Sequence, residues 1–234
     1  MVILEYTTTE GETGTVEVNG MSVDGDGTLF NGYEEACATT RAQILEDLGF
    51  VCPDFEALRG QAGPDAFRII REAQEFALQA ELEKAWPGIV TSFRSKVDST
   101  PISLEIFPDA ADFFAAYRKP ASIVTNAGRD PLFQRFAANP FVHQWVGQFT
   151  EVVTACRVDG RIKPDPAMLH YAKKRMGLSK MAWAGDGLPD ALAGHAAGVP
   201  NFALARGRTK AEMAEIAAVP GIKILNDFSD LRLV

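Results

Sequence analysis

Beyond about residue 100 the chain alternates short runs rich in apolar and β-branched residues with stretches of helical period. The runs are ASIVT at 121–125, EVVT at 151–154, MAWAG at 181–185, NFAL at 201–204 and GIKIL at 221–225. Between them, as at 165–176, Met168, Tyr171, Ala172 and Met176 recur on one helical face. Strand and helix repeated in this way predict a parallel sheet with helices on both sides, and an earlier run at 16–23 is expected to join it as the first strand. Residues 31–100 read differently. Ala66, Ile69, Ile70, Ala73, Phe76, Ala77 and Ala80 make a helical stripe, and no run there reads as a strand. Pro53, Gly60, Gly63, Pro64, Pro87 and Gly88 are expected to divide this segment into about four helices. The expected organisation is therefore a doubly wound α/β core formed by 1–30 and 101–234, with a small all-helical domain, 31–100, inserted after the first strand. Residues 1–15, rich in Thr and Gly, are either an edge hairpin or a loose arm.

Composition narrows the class of partner. Hydrophobic residues make up 47% and charged residues 23%, enough apolar character for a packed core. Lys and Arg number 23 against 31 Asp and Glu, a net charge of -8, which works against binding a nucleic acid. No apolar run approaches the roughly 20 residues of a membrane helix, so no membrane partner is expected. The opening MVILEYTTTEGETG has no basic segment of the kind that starts a secretory signal, so a cytoplasmic location is expected. Cys37, Cys52 and Cys156 are odd in number and lack CxxC spacing, which predicts buried thiols rather than disulfides or a zinc site.

The candidate chemistry lies at the ends of the expected strands. Asp24-Gly25-Asp26-Gly27-Thr28 follows the first. As an EF-hand calcium loop it fails, because the sixth position is Leu29 where the turn needs glycine, and a strand rather than a helix leads into it. Thr125-Asn126, Lys163-Pro164 and Gly185-Asp186-Gly187-Leu188-Pro189-Asp190 stand at comparable places. Ligands of open parallel sheets bind outside the carboxyl ends of the strands, so these segments are expected to converge. Two unit charges about 4 Å apart interact by roughly 4 kcal/mol at an effective dielectric near 20, so Asp24, Asp26, Asp186 and Asp190 together require a cation besides Lys163. Oxygen donors without His or Cys point to Mg2+.

DGDGT at 24–28, VTN at 124–126, KPDP at 163–166 and GDGLPDALAGHAAGV at 185–199 resemble, in order and spacing, the motifs of the haloacid dehalogenase superfamily. The insert resembles the helical cap of its phosphoglycolate phosphatase and β-phosphoglucomutase relatives. The resemblance implies a Rossmann-like core and a magnesium-dependent phosphatase acting on a small phosphorylated metabolite. In it Asp24 is the nucleophile that becomes an aspartyl-phosphate, and Asp26 is the general acid and base. Thr125 and the Asn126 amide hold the phosphoryl group, and Lys163 neutralises charge. Asp24, the Asp26 carbonyl and Asp186 hold the metal, while Asp190 positions its surroundings. Arg59 and Gln61, in the loop LRGQAG, are candidates to read the leaving group. A monomer or homodimer is expected.

Two departures stand out: Gly187 takes the place of the usual Ser or Thr after the third aspartate, and Gly25 that of an apolar residue. Asp26 argues against a dehalogenase, which needs no proton donor. Ala36, near where the mutases carry a His, argues against the sugar-phosphate mutase alternative, and a catalytically weak binding protein on the same scaffold is the other.

Overall fold

The computed structural model describes residues 1–54, 58, 63–99, 102 and 104–234. The chain packs as two units, Met1–Asn31 with Leu104–Val234 and, separately, Gly32–Ser103. The first unit opens with β1 (Val2–Thr7), β2 (Thr13–Val18), β3 (Gly20–Val23) and β4 (Phe30–Asn31). The second holds α1 (Tyr33–Asp47), α2 (Gly63–Glu72) and α3 (Phe76–Ser99). The chain then returns to the first unit through β5 (Glu105–Ile106), α4 (Pro108–Ala116), β6 (Ala121–Val124), α5 (Arg129–Ala138), α6 (Pro140–Val146) and β7 (Glu151–Val153). It finishes with α7 (Ala167–Arg175), β8 (Met181–Gly185), α8 (Leu188–Ala197), β9 (Asn201–Leu204), α9 (Lys210–Ala217), β10 (Ile222–Leu225) and β11 (Leu231–Leu233).

The central sheet runs β10-β9-β8-β3-β6-β7, and its pairs are parallel throughout. β3, β6, β8 and β9 are buried along their whole lengths, as expected of strands covered on both faces. Two buried polar residues in them satisfy each other: the Ser22 and Ser122 hydroxyls share a hydrogen bond of 2.7 Å across the β3–β6 pair. Helix α7 lays Met168, Leu169 and Ala172 against Val124, Met181 and Trp183, all fully buried. The stripe read from the sequence at 165–176 is therefore a core face. Among the described residues no helix is long and apolar enough to cross a membrane.

The run at 16–23 is not one strand. It turns at Asn19, so that β2 pairs with β1 in an antiparallel sheet, closed on its other side by β11, while β3 alone enters the parallel sheet. Asn19 holds this corner: its backbone N–H donates to the Lys180 carbonyl at 2.9 Å and its side-chain oxygen accepts from the Lys180 N–H at 3.0 Å. Of the two expectations for the N-terminal residues, the hairpin is the one found.

In the helical unit the stripe through Ala80 is broken. Chain direction changes at 73–75, where buried Gln74 donates to the Ile70 and Val51 carbonyls at 2.8 and 2.7 Å and accepts from the Val51 N–H at 2.8 Å. Phe76, expected on the buried face, is 90% exposed as the first residue of α3. Conversely, Pro87 does not end α3. A proline inside a helix costs about 3 kcal/mol. Leu82 and Ile89, buried with Ile44, Leu45, Leu58 and Ile70, hold the helix through it. The cysteines also differ from expectation, since Cys37 and Cys52 are half-buried and Cys156 is exposed. Arg59 and Gln61 lie outside the described residues.

Candidate active site

Parallel register places the chemistry. Val23 pairs with Ile123 on one side and Ala184 on the other, so β3, β6 and β8 end level and present Asp24, Thr125 and Asp186 along one edge. The Asp24 N–H extends the ladder to the Ala184 carbonyl at 2.9 Å, and the Thr125 N–H to Val153 at 3.0 Å. After Asp24 the chain makes a tight loop in which the Leu29 and Phe30 N–H groups both donate to the Gly25 carbonyl, at 2.8 and 3.0 Å. Gly27 is required here. Its φ is +79°, and a Cβ on it would come within 2.3 Å of Asp186 Oδ2. Gly25 is under no such demand, since a Cβ there would meet nothing closer than 3.7 Å.

Lys163 arrives from the segment before α7 and is buried at the centre of the cluster. Its ammonium donates to Asp24 Oδ1, pairs with Asp190 Oδ1 at 2.6 Å and donates to the Val124 carbonyl at 3.1 Å. Burial alone would pull this ammonium down, but Asp190 and Asp24 outweigh it and hold the group protonated. Burial pushes the Asp24 carboxyl well above its ordinary value; Asp190 and Asp186 add to that push, and Lys163 opposes it. Asp24, Asp186 and Asp190 are all buried, with one carboxylate oxygen of each within 4.8 Å of the others. Both oxygens of Asp190 are engaged within the cluster, since its Oδ2 also accepts the Gly187 N–H at 3.0 Å.

The Asn126 side chain has a place the sequence did not suggest. It accepts from the Lys163 N–H at 2.9 Å and donates to the Lys163 carbonyl at 3.2 Å, so it fastens the lysine segment to the end of β6. Thr125 Oγ1 accepts from the Ala127 N–H at 3.1 Å, which leaves its own proton to donate. Three further residues escaped sequence reasoning. The Thr28 hydroxyl donates to Asp186 Oδ1 at 2.8 Å. Arg135, buried on α5, stands 3.5 Å from Asp26 Oδ2. Arg208, on the loop after β9, donates through Nη2 to Asp186 Oδ2. Thr28 lay within the first motif and was readable there as a donor; Arg135 and Arg208 carry no local signal, because only the fold brings them to aspartates far away in sequence. His195, by contrast, is exposed and its ring meets the Pro220 carbonyl, away from these groups.

The comparisons agree with this geometry. Solved structures share the fold at low identity: a predicted phosphoglycolate phosphatase from Haemophilus somnus 129pt is 21% identical with a TM-score of 0.70, covering 93% of this chain and 97% of that one. A HAD family hydrolase from Deinococcus radiodurans R1, solved with bound phosphate and sodium, is 18% identical with a TM-score of 0.68, covering 91% and 92%. CbbY from Rhodobacter sphaeroides, in complex with xylulose-(1,5)-bisphosphate, is 19% identical with a TM-score of 0.61, covering 91% and 96%. No curated protein matches the sequence. The sequence model that describes haloacid dehalogenase-like hydrolases matches residues 19–198, a span that contains Asp24, Thr125, Lys163 and Asp186 together. With that match the grouping of these four side chains at one sheet edge has its explanation: the chain belongs to the haloacid dehalogenase-like hydrolases, and it is a hydrolytic enzyme.

Proposed function

We propose that the enzyme is a magnesium-dependent phosphatase that hydrolyses a small phosphate monoester through an aspartyl-phosphate on Asp24. The observation that supports this most directly is the buried pairing of Asp24 with Lys163 beside two more carboxylates. The donor set suits a hard divalent cation: oxygen atoms only, and an Asp24 anion made costly by burial and by its acidic neighbours. Asp24 and Asp186 would hold the ion, with the Asp26 carbonyl as the family resemblance implies, while Asp190 stays committed to Lys163 and Gly187. When bound, the ion supplies positive charge that offsets repulsion between Asp24 and an incoming phosphoryl group.

The remaining steps belong to the chain. An Asp24 carboxylate oxygen attacks phosphorus, the ester P–O bond breaks, and the departing oxygen takes a proton from Asp26. Lys163, held protonated, keeps neutralising the charge that gathers on the transferring group. Thr125 directs its hydroxyl proton to a phosphoryl oxygen. Water then attacks the aspartyl-phosphate, gives its proton to Asp26, and the bond from phosphorus to Asp24 breaks to release inorganic phosphate. These groups address only the phosphoryl portion common to such esters, so they leave the choice of ester open.

The test is hydrolysis of p-nitrophenyl phosphate with Mg2+ and after chelation. Activity is expected with the metal and lost without it; undiminished turnover in excess chelator would overturn the reading. Asp26→Asn is expected to slow turnover by about 10² to 10⁴. It should do so without weakening Mg2+ binding, since only the backbone of Asp26 is assigned to the ion, and calorimetry with Mg2+ alone separates the two effects.

A further inference from the structure

Asp186, assigned above to the metal, already holds a cation. The guanidinium of Arg208 donates to its Oδ2, and the two side chains are only 6% and 3% exposed. The Thr28 hydroxyl takes Oδ1. A divalent ion arriving at Asp186 therefore meets a carboxylate whose two oxygens both accept hydrogen bonds and whose charge is balanced by a fixed positive group. Two cations on one buried carboxylate repel, and little water is present to screen them. Arg208 also has a second acceptor within reach: its Nη1 is 3.4 Å from Glu212 Oε1, on the first turn of α9. Glu212 is itself held in place, because its other oxygen accepts from the Thr209 N–H at 2.7 Å and from the Thr209 hydroxyl at 2.9 Å.

We propose that Arg208 is a resident counter-cation which the metal displaces from Asp186, with Glu212 receiving the released guanidinium. This rests on the metal reading given above and adds to it a control on affinity. Without metal, the pair keeps Asp186 compensated and the loop between β9 and α9 in place. With metal, binding is weakened by the pair that must first be broken. The enzyme's Mg2+ affinity is then set by Arg208 as well as by the ligands themselves.

Titration calorimetry with Mg2+ alone, in the absence of substrate, tests the proposal. Arg208→Gln removes the competing charge and is expected to lower the Kd for Mg2+ tenfold or more while lowering the melting temperature of the metal-free protein. Arg208→Lys keeps the charge but not the planar fork of donors, and is expected to tighten binding by less. In wild-type protein with 15N-labelled arginine, Mg2+ is expected to shift one guanidinium signal, the one that Arg208→Lys lacks. This last measurement needs no destabilised variant. The proposal is overturned if Arg208→Gln binds Mg2+ no more tightly than wild type, or if no guanidinium signal moves at saturating Mg2+. If neither wild type nor variant binds Mg2+ at all, the metal reading fails and this proposal goes with it. Binding to wild type without the predicted tightening defeats the exchange alone.

Discussion

Asp24→Asn is expected to reduce turnover by a factor on the order of 10⁴ to 10⁶, because the amide cannot serve as the attacking anion and the remaining groups provide only positioning and charge. The fold should survive. Lys163 retains Asp190 and the Val124 carbonyl as acceptors, and the neutral amide relieves a cluster in which burial already pushes Asp24 toward its uncharged form. The metal-free variant is therefore expected to melt at or above the wild-type temperature. Two measurements check this together: steady-state kcat, and mass spectrometry of rapidly quenched protein, in which wild type but not the variant carries a phosphoryl group on the peptide containing Asp24. Turnover within tenfold of wild type would remove Asp24 as nucleophile.

Lys163→Met should damage stability as well as activity. The lysine is the cation shared by Asp24 and Asp190, and removing one partner of a buried ion pair costs about 3 to 5 kcal/mol. At about 2–4 °C per kcal/mol for a chain of this size, the melting temperature should fall by roughly 6 to 20 °C. The pH dependence has a definite sign. Asp24 is already raised by burial and its acidic neighbours, and loss of Lys163 raises it further. A group with a raised folded-state pKa favours folding at low pH and loses that contribution as pH rises through the folded value. The deficit of Lys163→Met should thus be smaller near about pH 5 than near about pH 8. An equal deficit at both would mean that the lysine acts through packing alone. Turnover should fall too, since no other described side chain gives a cation directly to Asp24.

The parts of the site that were legible in the sequence are those whose position follows from strand ends. An apolar run that stops at a polar residue puts that residue at the sheet edge, whatever else the fold does, and so Asp24, Thr125 and Asp186 could be placed there from the sequence. The same locality explains the failures in the helical unit. Period alone joins 66–80 into one stripe, but Gln74 offers its side-chain amide to Ile70 and Val51, and this competing set of hydrogen bonds breaks the stripe where hydropathy shows nothing. Pro87 reads as a stop, yet burial of Leu82 and Ile89 on either side of it outweighs the lost backbone hydrogen bond.

By itself, then, the sequence determined the alternation of elements, the parallel sheet and the residues at its carboxyl edge, because these depend on periodicity and on chain ends a few residues apart. Only the tertiary structure decided which strand leaves the sheet at Asn19, which side chain fastens Lys163, and which arginines meet Asp26 and Asp186. Arg135 lies 109 positions from Asp26, and Arg208 lies 22 from Asp186 across an intervening helix and strand. Charge pairing at such separations obeys no spacing rule: it is set by where the backbone goes, and a buried charge takes whatever partner the completed fold brings to it.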